Sequence, residues 1–114
     1  MMKAIERLYE KDNYTIQRSI SLEDTLYTRL KKFVEKKYDA SISDIINICI
    51  EHYINKNEIK YIPKDKDEIT IYRSVMIRKK NLDVLTKINN KTGISTTRLI
   101  NMAIKQFLDE YDKE

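Results

Sequence analysis

Glycine, proline, cysteine and histidine occur once each in this 114-residue chain, as Gly93, Pro63, Cys49 and His52, and tryptophan is absent. Each scarcity closes a class of function. A lone glycine cannot build a Walker loop or a GxGxxG turn, which need several glycines where backbone approaches phosphate. A lone cysteine excludes an internal disulfide framework and a cysteine-rich zinc site. A lone histidine leaves no His pair for a metal. No apolar run approaches the about 20 residues that a bilayer-spanning helix needs. The start, Met1-Met2-Lys3-Ala4-Ile5-Glu6, lacks the apolar stretch of a secretory signal. No nucleophile–base or metal constellation is present. The expectation is a cytoplasmic binding protein, not an enzyme, with no cofactor, metal or membrane partner.

What is present is enough for a core: 41% of residues are hydrophobic and 35% charged, with a net charge of +4. The size suits one domain or two very small ones. So few turn-forming residues argue for helices joined by few tight turns.

The chain also repeats itself. At a shift of 55, Thr15-Ile16-Gln17-Arg18-Ser19-Ile20-Ser21-Leu22 falls on Thr70-Ile71-Tyr72-Arg73-Ser74-Val75-Met76-Ile77. At a shift of 54, Ser41-Ile42-Ser43-Asp44-Ile45-Ile46-Asn47-Ile48-Cys49-Ile50 falls on Ser95-Thr96-Thr97-Arg98-Leu99-Ile100-Asn101-Met102-Ala103-Ile104. Two blocks match in the same order, with one residue lost between them.

Each repeat reads in three parts. First comes period-two alternation, the pattern of a strand with one buried face. Ile16, Ile20 and Leu22 oppose Gln17, Ser19 and Ser21, and Ile71, Val75 and Ile77 oppose Tyr72, Ser74 and Met76. Next comes a helical stripe, Leu26, Leu30, Phe33 and Val34 in one copy and Leu82, Leu85 and Ile88 in the other. A short turn follows, Tyr38-Asp39-Ala40 or Thr92-Gly93-Ile94, in which Gly93 suits the left-handed residue that ends a helix.

A second helix then starts at Ser41, with Asp44 completing a capping box. Ser95 is the matching cap, but Arg98 stands in place of the acid. The stripes are Ile42, Ile45, Ile46, Cys49, Ile50 and Tyr53, then Leu99, Ile100, Ala103, Ile104, Phe107, Leu108 and Tyr111. Ile48 and its equivalent Met102 fall outside them. Cys49 reads as a core thiol and His52 as a surface residue.

A lone strand has no partner, and about 40 residues bury too little surface to fold alone. Two such units satisfy each other. The expected fold is mainly α with a two-stranded antiparallel β-ribbon, two β-α-α units packed as an intramolecular pseudo-dimer. The parts are an N-terminal extension (1–13), first motif (14–54), linker (55–68), second motif (69–108) and acidic tail (109–114). The extended linker reaches about 46 Å at ~3.3 Å per residue, ample for the second strand to fold back beside the first. Pairing between two chains uses the same contacts and stays open.

These blocks resemble the ribbon-helix-helix family, the Arc- and MetJ-like repressors. The resemblance rests on Ile20-Ser21-Leu22-Glu23-Asp24-Thr25-Leu26, on Asp39-Ala40-Ser41-Ile42-Ser43-Asp44-Ile45-Ile46, and on Gly93-Ile94-Ser95-Thr96-Thr97-Arg98-Leu99-Ile100. Family members are usually homodimers of one short motif; here one chain carries two.

The resemblance implies a sequence-specific double-stranded DNA-binding regulator, a repressor or autoregulator of viral or prokaryotic type. A two-stranded ribbon fits the major groove of B-DNA, with outward side chains at base edges. The base readers would be Gln17, Ser19, Ser21, Tyr72, Ser74 and Met76. With the family's central pairing, Ser19 faces Ser74, Gln17 neighbours Met76, and Ser21 neighbours Tyr72. The halves differ, so one ribbon would read an asymmetric subsite.

Phosphate contacts would come from the second-helix N-termini, with Ser41, Ser43, Ser95 and Thr97 adding hydroxyls. Arg18 and Arg73 fall on the inward face. Each is expected near a ribbon end, with its head at the rim, either on phosphate or in a salt bridge to an acidic helix residue.

Charge is uneven. Residues 14–54 carry six basic and six acidic residues, whereas 69–108 carry eight basic and one acidic. Arg78, Lys79 and Lys80 join Arg73 in a cluster at the strand-to-helix junction, a further phosphate footprint. Lys31, Lys32, Lys36 and Lys37 read as the solvated face of the first helix. If exposed, Ile48 and Met102 would support self-association on DNA. The alternative is an antitoxin-like module whose main partner is a protein. The short tail after the last helix argues against it.

Overall fold

The computed structural model describes residues 14–37, 41–54, 61–63 and 66–112. The N-terminal extension (1–13), the turn at Asp39 and much of the linker lie outside them. Among the described residues the order is β1 (Thr15–Glu23), α1 (Asp24–Lys37), α2 (Ile42–Tyr53), β2 (Thr70–Arg78), α3 (Lys79–Thr92) and α4 (Thr96–Asp112). The fold is mainly helical, with one two-stranded antiparallel sheet.

The strands pair antiparallel, with Ser19 opposite Ser74, Gln17 opposite Met76 and Ser21 opposite Tyr72. This is the pairing that the family resemblance implies. Period two then sorts the faces. Ile20, Leu22, Val75 and Ile77 are buried, and Gln17, Ser19, Tyr72, Ser74 and Met76 are exposed.

Both strands run into helices with no intervening loop. The first N–H of each helix extends the ladder instead of being orphaned. Asp24 N donates to Ile69 O at 2.8 Å, and Lys79 N donates to Tyr14 O at 2.9 Å. Glu68 adds a cap to α1, its Oε1 accepting from both Thr25 N and Thr25 Oγ1.

The core lies beneath the ribbon. α2 brings Ile45, Ile46, Cys49 and Ile50, and α4 brings Leu99, Ile100, Ala103, Ile104 and Leu108. α1 adds Leu26, Leu30 and Phe33, while α3 contributes only Leu85 fully, with Leu82 and Ile88 half-buried. Phe33 closes one end, edge-on to Phe107 (centroids 5.2 Å apart) and to Tyr111 (4.6 Å). Ser41 caps α2 through the expected box: its Oγ accepts from Asp44 N at 3.1 Å, and its N donates to Asp44 Oδ2 at 3.2 Å. Gly93 ends α3 at φ 80°, the left-handed conformation anticipated for it.

Three expectations need correction. α4 continues through Asp112, so residues 109–112 are its last turn and not a tail. Arg29 of α1 holds that turn, reaching Asp109 at 3.2 Å and Asp112 at 2.6 Å. Met102 is fully buried, because α4 is covered on more of its circumference than its apolar stripe alone accounts for. Arg18 and Arg73 do not lie near the ribbon ends. They flank the central Ser19–Ser74 pair, with Arg18 opposite Val75 and Arg73 opposite Ile20.

Two buried asparagines bind helix to sheet, and they do so in matching ways. Asn47 Oδ1 accepts from Arg78 N at 2.9 Å, and its Nδ2 donates to Met76 O at 2.8 Å and Ser43 O at 2.9 Å. Asn101 Oδ1 accepts from Glu23 N at 2.9 Å, and its Nδ2 donates to Ser21 O at 3.0 Å and Thr97 O at 2.9 Å. The unpaired edge of each strand is thereby closed by the second helix of the other repeat, which removes a template for stray strand pairing.

Candidate nucleic-acid interface

The outward ribbon face carries three cross-strand rows: Gln17 with Met76, Ser19 with Ser74, and Ser21 with Tyr72. Tyr72 is 74% exposed and Met76 40%. The Tyr72 ring leaves most of its surface in water and Met76 a part of its own, so this face gains from an apolar or stacked partner. Gln17 Nε2 donates to Ser74 Oγ, diagonally across the ribbon. That bond orients the Gln17 amide toward the ribbon centre. Ser21 is half-buried and Ser19 exposed.

The N-termini of α2 and α4 flank the ribbon on opposite edges. The hydrogen bonds of Ser43 and Asn47 to β2, and of Asn101 to β1, place them there. Ser43 Oγ accepts from Met76 N at 3.0 Å, and Ser95 Oγ accepts from Arg98 N at 3.0 Å. Ser41, Ser43 and Ser95 thus serve as acceptors within the fold, and each keeps its own O–H as a donor. Thr97 is half-buried, and its carbonyl accepts from Asn101. Asp44 puts a negative charge in the first turn of α2, whereas α4 has no acid there. The positive end of the helix dipole is therefore less neutralised at α4.

The basic residues divide in two. Arg18 and Arg73 are both exposed, and among the described residues no carboxylate lies within ion-pair distance of either. The expected rim salt bridge is absent there. The Arg73 guanidinium sits 4.9 Å from the centre of the Tyr27 ring, a cation–π contact that keeps its charge at the surface. Arg18, by contrast, has Leu82 at the position equivalent to Tyr27.

The junction cluster is partly neutralised. Arg78 pairs with Glu51 at 2.7 Å and Lys79 with Asp83 at 2.8 Å, while Lys80 is exposed. Lys31, Lys32 and Lys36 are exposed, as read from the sequence. His52 is exposed too, edge-on to Tyr53.

Sequence reasoning missed the polar layer between ribbon and helices. Glu23 is 7% exposed and pairs with Arg98 at 2.9 Å. The arginine that breaks the second capping box therefore has a partner elsewhere. Asn81 is fully buried, and its Nδ2 donates to Asn47 Oδ1 and Glu51 Oε2, both at 2.9 Å. A usable signal was present: asparagine recurs at the same place in both repeats, amid a buried stripe, although it is a poor helix former.

Cys49 is an inert core thiol, burial pushing its pKa up to about 12. Among the described residues no cluster of His, Cys, Asp and Glu could hold a metal ion, and no helix is long and apolar enough to cross a membrane. No protein-family model, curated protein or solved structure matches the chain.

Proposed function

We propose that this protein is a sequence-specific double-stranded DNA-binding regulator of ribbon-helix-helix type, its two β-α-α repeats acting as a pseudo-dimer within one chain. The observation that carries this reading is the register. Pairing Ser19 with Ser74 lines up six alternately spaced side chains on one outward face, five of them exposed and Ser21 half-buried, flanked by two helix N-termini.

A two-stranded ribbon matches the width of the major groove. From Gln17 to Ser21 the readers span about 14 Å at ~3.4 Å per residue, close to four base pairs. Gln17 suits adenine, and Met76, directly across from it, suits the methyl group of thymine. At the other end Tyr72 stands beside Ser21. The two ends differ in chemistry, which favours a non-palindromic site. Arg18, Arg73, Lys80 and the α4 N-terminus supply phosphate contacts, with Arg78 and Lys79 contributing less because each already faces a carboxylate.

Selection of bound sequences from a random duplex pool, followed by gel shifts at several salt concentrations, tests the proposal. One enriched asymmetric motif is expected. Gln17→Ala or Tyr72→Ala should cost about 5- to 100-fold in affinity for that motif and far less for random DNA. Binding that shows no enrichment and vanishes with salt would mean a non-specific coating protein. No binding, together with capture of a stoichiometric small protein, would favour the antitoxin-like alternative.

A further inference from the structure

The polar layer beneath the ribbon has a sign. On α2, Asp44 and Glu51 lie one helical step either side of the clamp residue Asn47, so Asp, Asn and Glu share one face. On α4 the equivalent residues are Arg98, Asn101 and Lys105. The strand end that meets the basic α4 face is Glu23, paired with Arg98 at 2.9 Å. The strand end that meets the acidic α2 face is Arg78, paired with Glu51 at 2.7 Å. Glu23 and Arg78 occupy equivalent places in the two repeats: each gives its backbone N–H to the clamp asparagine of the other half, at 2.9 Å. Asn81 adds to one side only. It lies fully buried with Nδ2 on Glu51, where the first repeat has Leu26.

We infer that these charges make each half of the chain accept only the other half as its partner. If first repeats paired with each other, Glu23 would face Asp44 and Glu51, all acids. If second repeats paired, Arg78 would face Arg98 and Lys105, all bases. Either arrangement puts like charges together, at strand ends where the Glu23 and Arg98 side chains are 9% and 13% exposed and the more screened Arg78 and Glu51 are 37% and 33% exposed. Water screens little at the Glu23–Arg98 site, and an uncompensated buried charge there is strongly unfavourable. Unlike pairing satisfies both ends. This inference concerns assembly and stands whether or not the ribbon reads DNA. It also makes an asymmetric ribbon an encoded property and not an accident of the linker.

The test uses the full chain and exchanges the strand-end charges, Glu23→Arg with Arg78→Glu. Unlike pairing is then opposed at both ends, while like pairing between two chains is satisfied at both. Ser19→Cys reports the outcome, because Ser19 faces Ser74 in unlike pairing and its own copy in like pairing. Cys49 is buried and does not interfere.

With native charges and Ser19→Cys alone, oxidation should link few chains. Ser19→Cys with Ser74→Cys should close within one chain, showing that the site can form the bond. In the charge-exchanged background, Ser19→Cys should link chains in pairs with at least about tenfold higher yield. Equal linkage in the two charge backgrounds would overturn the inference.

Should the exchanged chain fail to fold, Glu23→Arg and Arg98→Glu form a double-mutant cycle that keeps unlike pairing. The cycle cancels the capping gain of a new acid in the first turn of α4. The double variant should recover at least about tenfold in folding equilibrium constant over the additive sum of the singles. Additive singles would overturn the inference.

Discussion

Asn101 and Asn47 show how much one side chain can hold. Each makes two hydrogen bonds to a strand edge of the other repeat and one to a carbonyl of its own helix. Truncation leaves a strand N–H and a strand carbonyl without that partner. Asn101→Ala should therefore destabilise by about 2–4 kcal/mol, read as a shift in the urea midpoint with an unchanged m-value. Asn47→Ala should cost at least as much, since Asn47 Oδ1 also accepts from Asn81.

Cys49 offers a second check at this scale. Its thiol is fully buried and its pKa is raised to about 12, so almost no thiolate forms at neutral pH. A thiol reagent should modify the native chain only as fast as the fold opens, and urea should expose the residue fully. Gly93 has open space around the place a Cβ would take. Gly93→Ala should thus cost only the left-handed backbone penalty, about 1 kcal/mol.

At the scale of elements, the ends of helices carry the informative chemistry. The last turn of α4 is held to α1 by Arg29, and Lys105 joins Asp109 at 3.0 Å. Burial by itself raises the Asp109 pKa, but hydrogen bonds and the charges of Lys105 and Arg29 outweigh it, holding the carboxyl below its ordinary value of 3.8. A carboxyl depressed on folding adds stability above its unfolded pKa and loses it as pH falls through the folded one. The contribution should be present at neutral pH and fade below about pH 4. Asp109→Asn should therefore flatten that acid limb of the stability profile while changing stability at pH 7 by about 1 kcal/mol or less, because these groups are partly exposed and screened. The capping box at Ser41 is a separate device. Asp44→Ala should cost about 1 kcal/mol through the cap alone.

For the whole molecule, the decisive fact is that the two strands of the sheet come from the two repeats of the chain. Pairing within the chain makes folding unimolecular, so the melting midpoint should not change over a hundredfold range of protein concentration. Pairing by exchange between two chains would make it rise with concentration. Ile48 is 43% exposed beside Tyr53 and Phe107, but its counterpart Met102 is buried. Any self-association through this position would involve one half of the molecule only. The asymmetry of the ribbon, of the Arg73–Tyr27 contact and of the charged helix faces all run the same way: the two repeats share a backbone plan and differ in chemistry.

Local periodicity was enough to place the strands, the helices and the two faces of the ribbon, while the Ser19–Ser74 register was expected from the family resemblance. An alternation of period two with Ile20, Leu22, Val75 and Ile77 on one face fixes which face is buried, because a slip of one residue would turn that face outward. The Ser41 cap and the Gly93 stop are local devices as well, legible from neighbouring residues. The candidate readers Gln17, Tyr72 and Met76 follow from the same alternation. The buried polar layer was not legible. Glu23 and Arg98, or Asn81 and Glu51, lie far apart in the chain and meet only because two repeats cross, so no window of sequence contains both partners. The burial of Met102 belongs to the same class, whereas the central position of Arg18 and Arg73 follows from the Ser19–Ser74 pairing. Sequence determined which residues seek the interior. Tertiary structure decided which charges face each other, because electrostatic complementarity is a property of distances between elements and not of spacing along one.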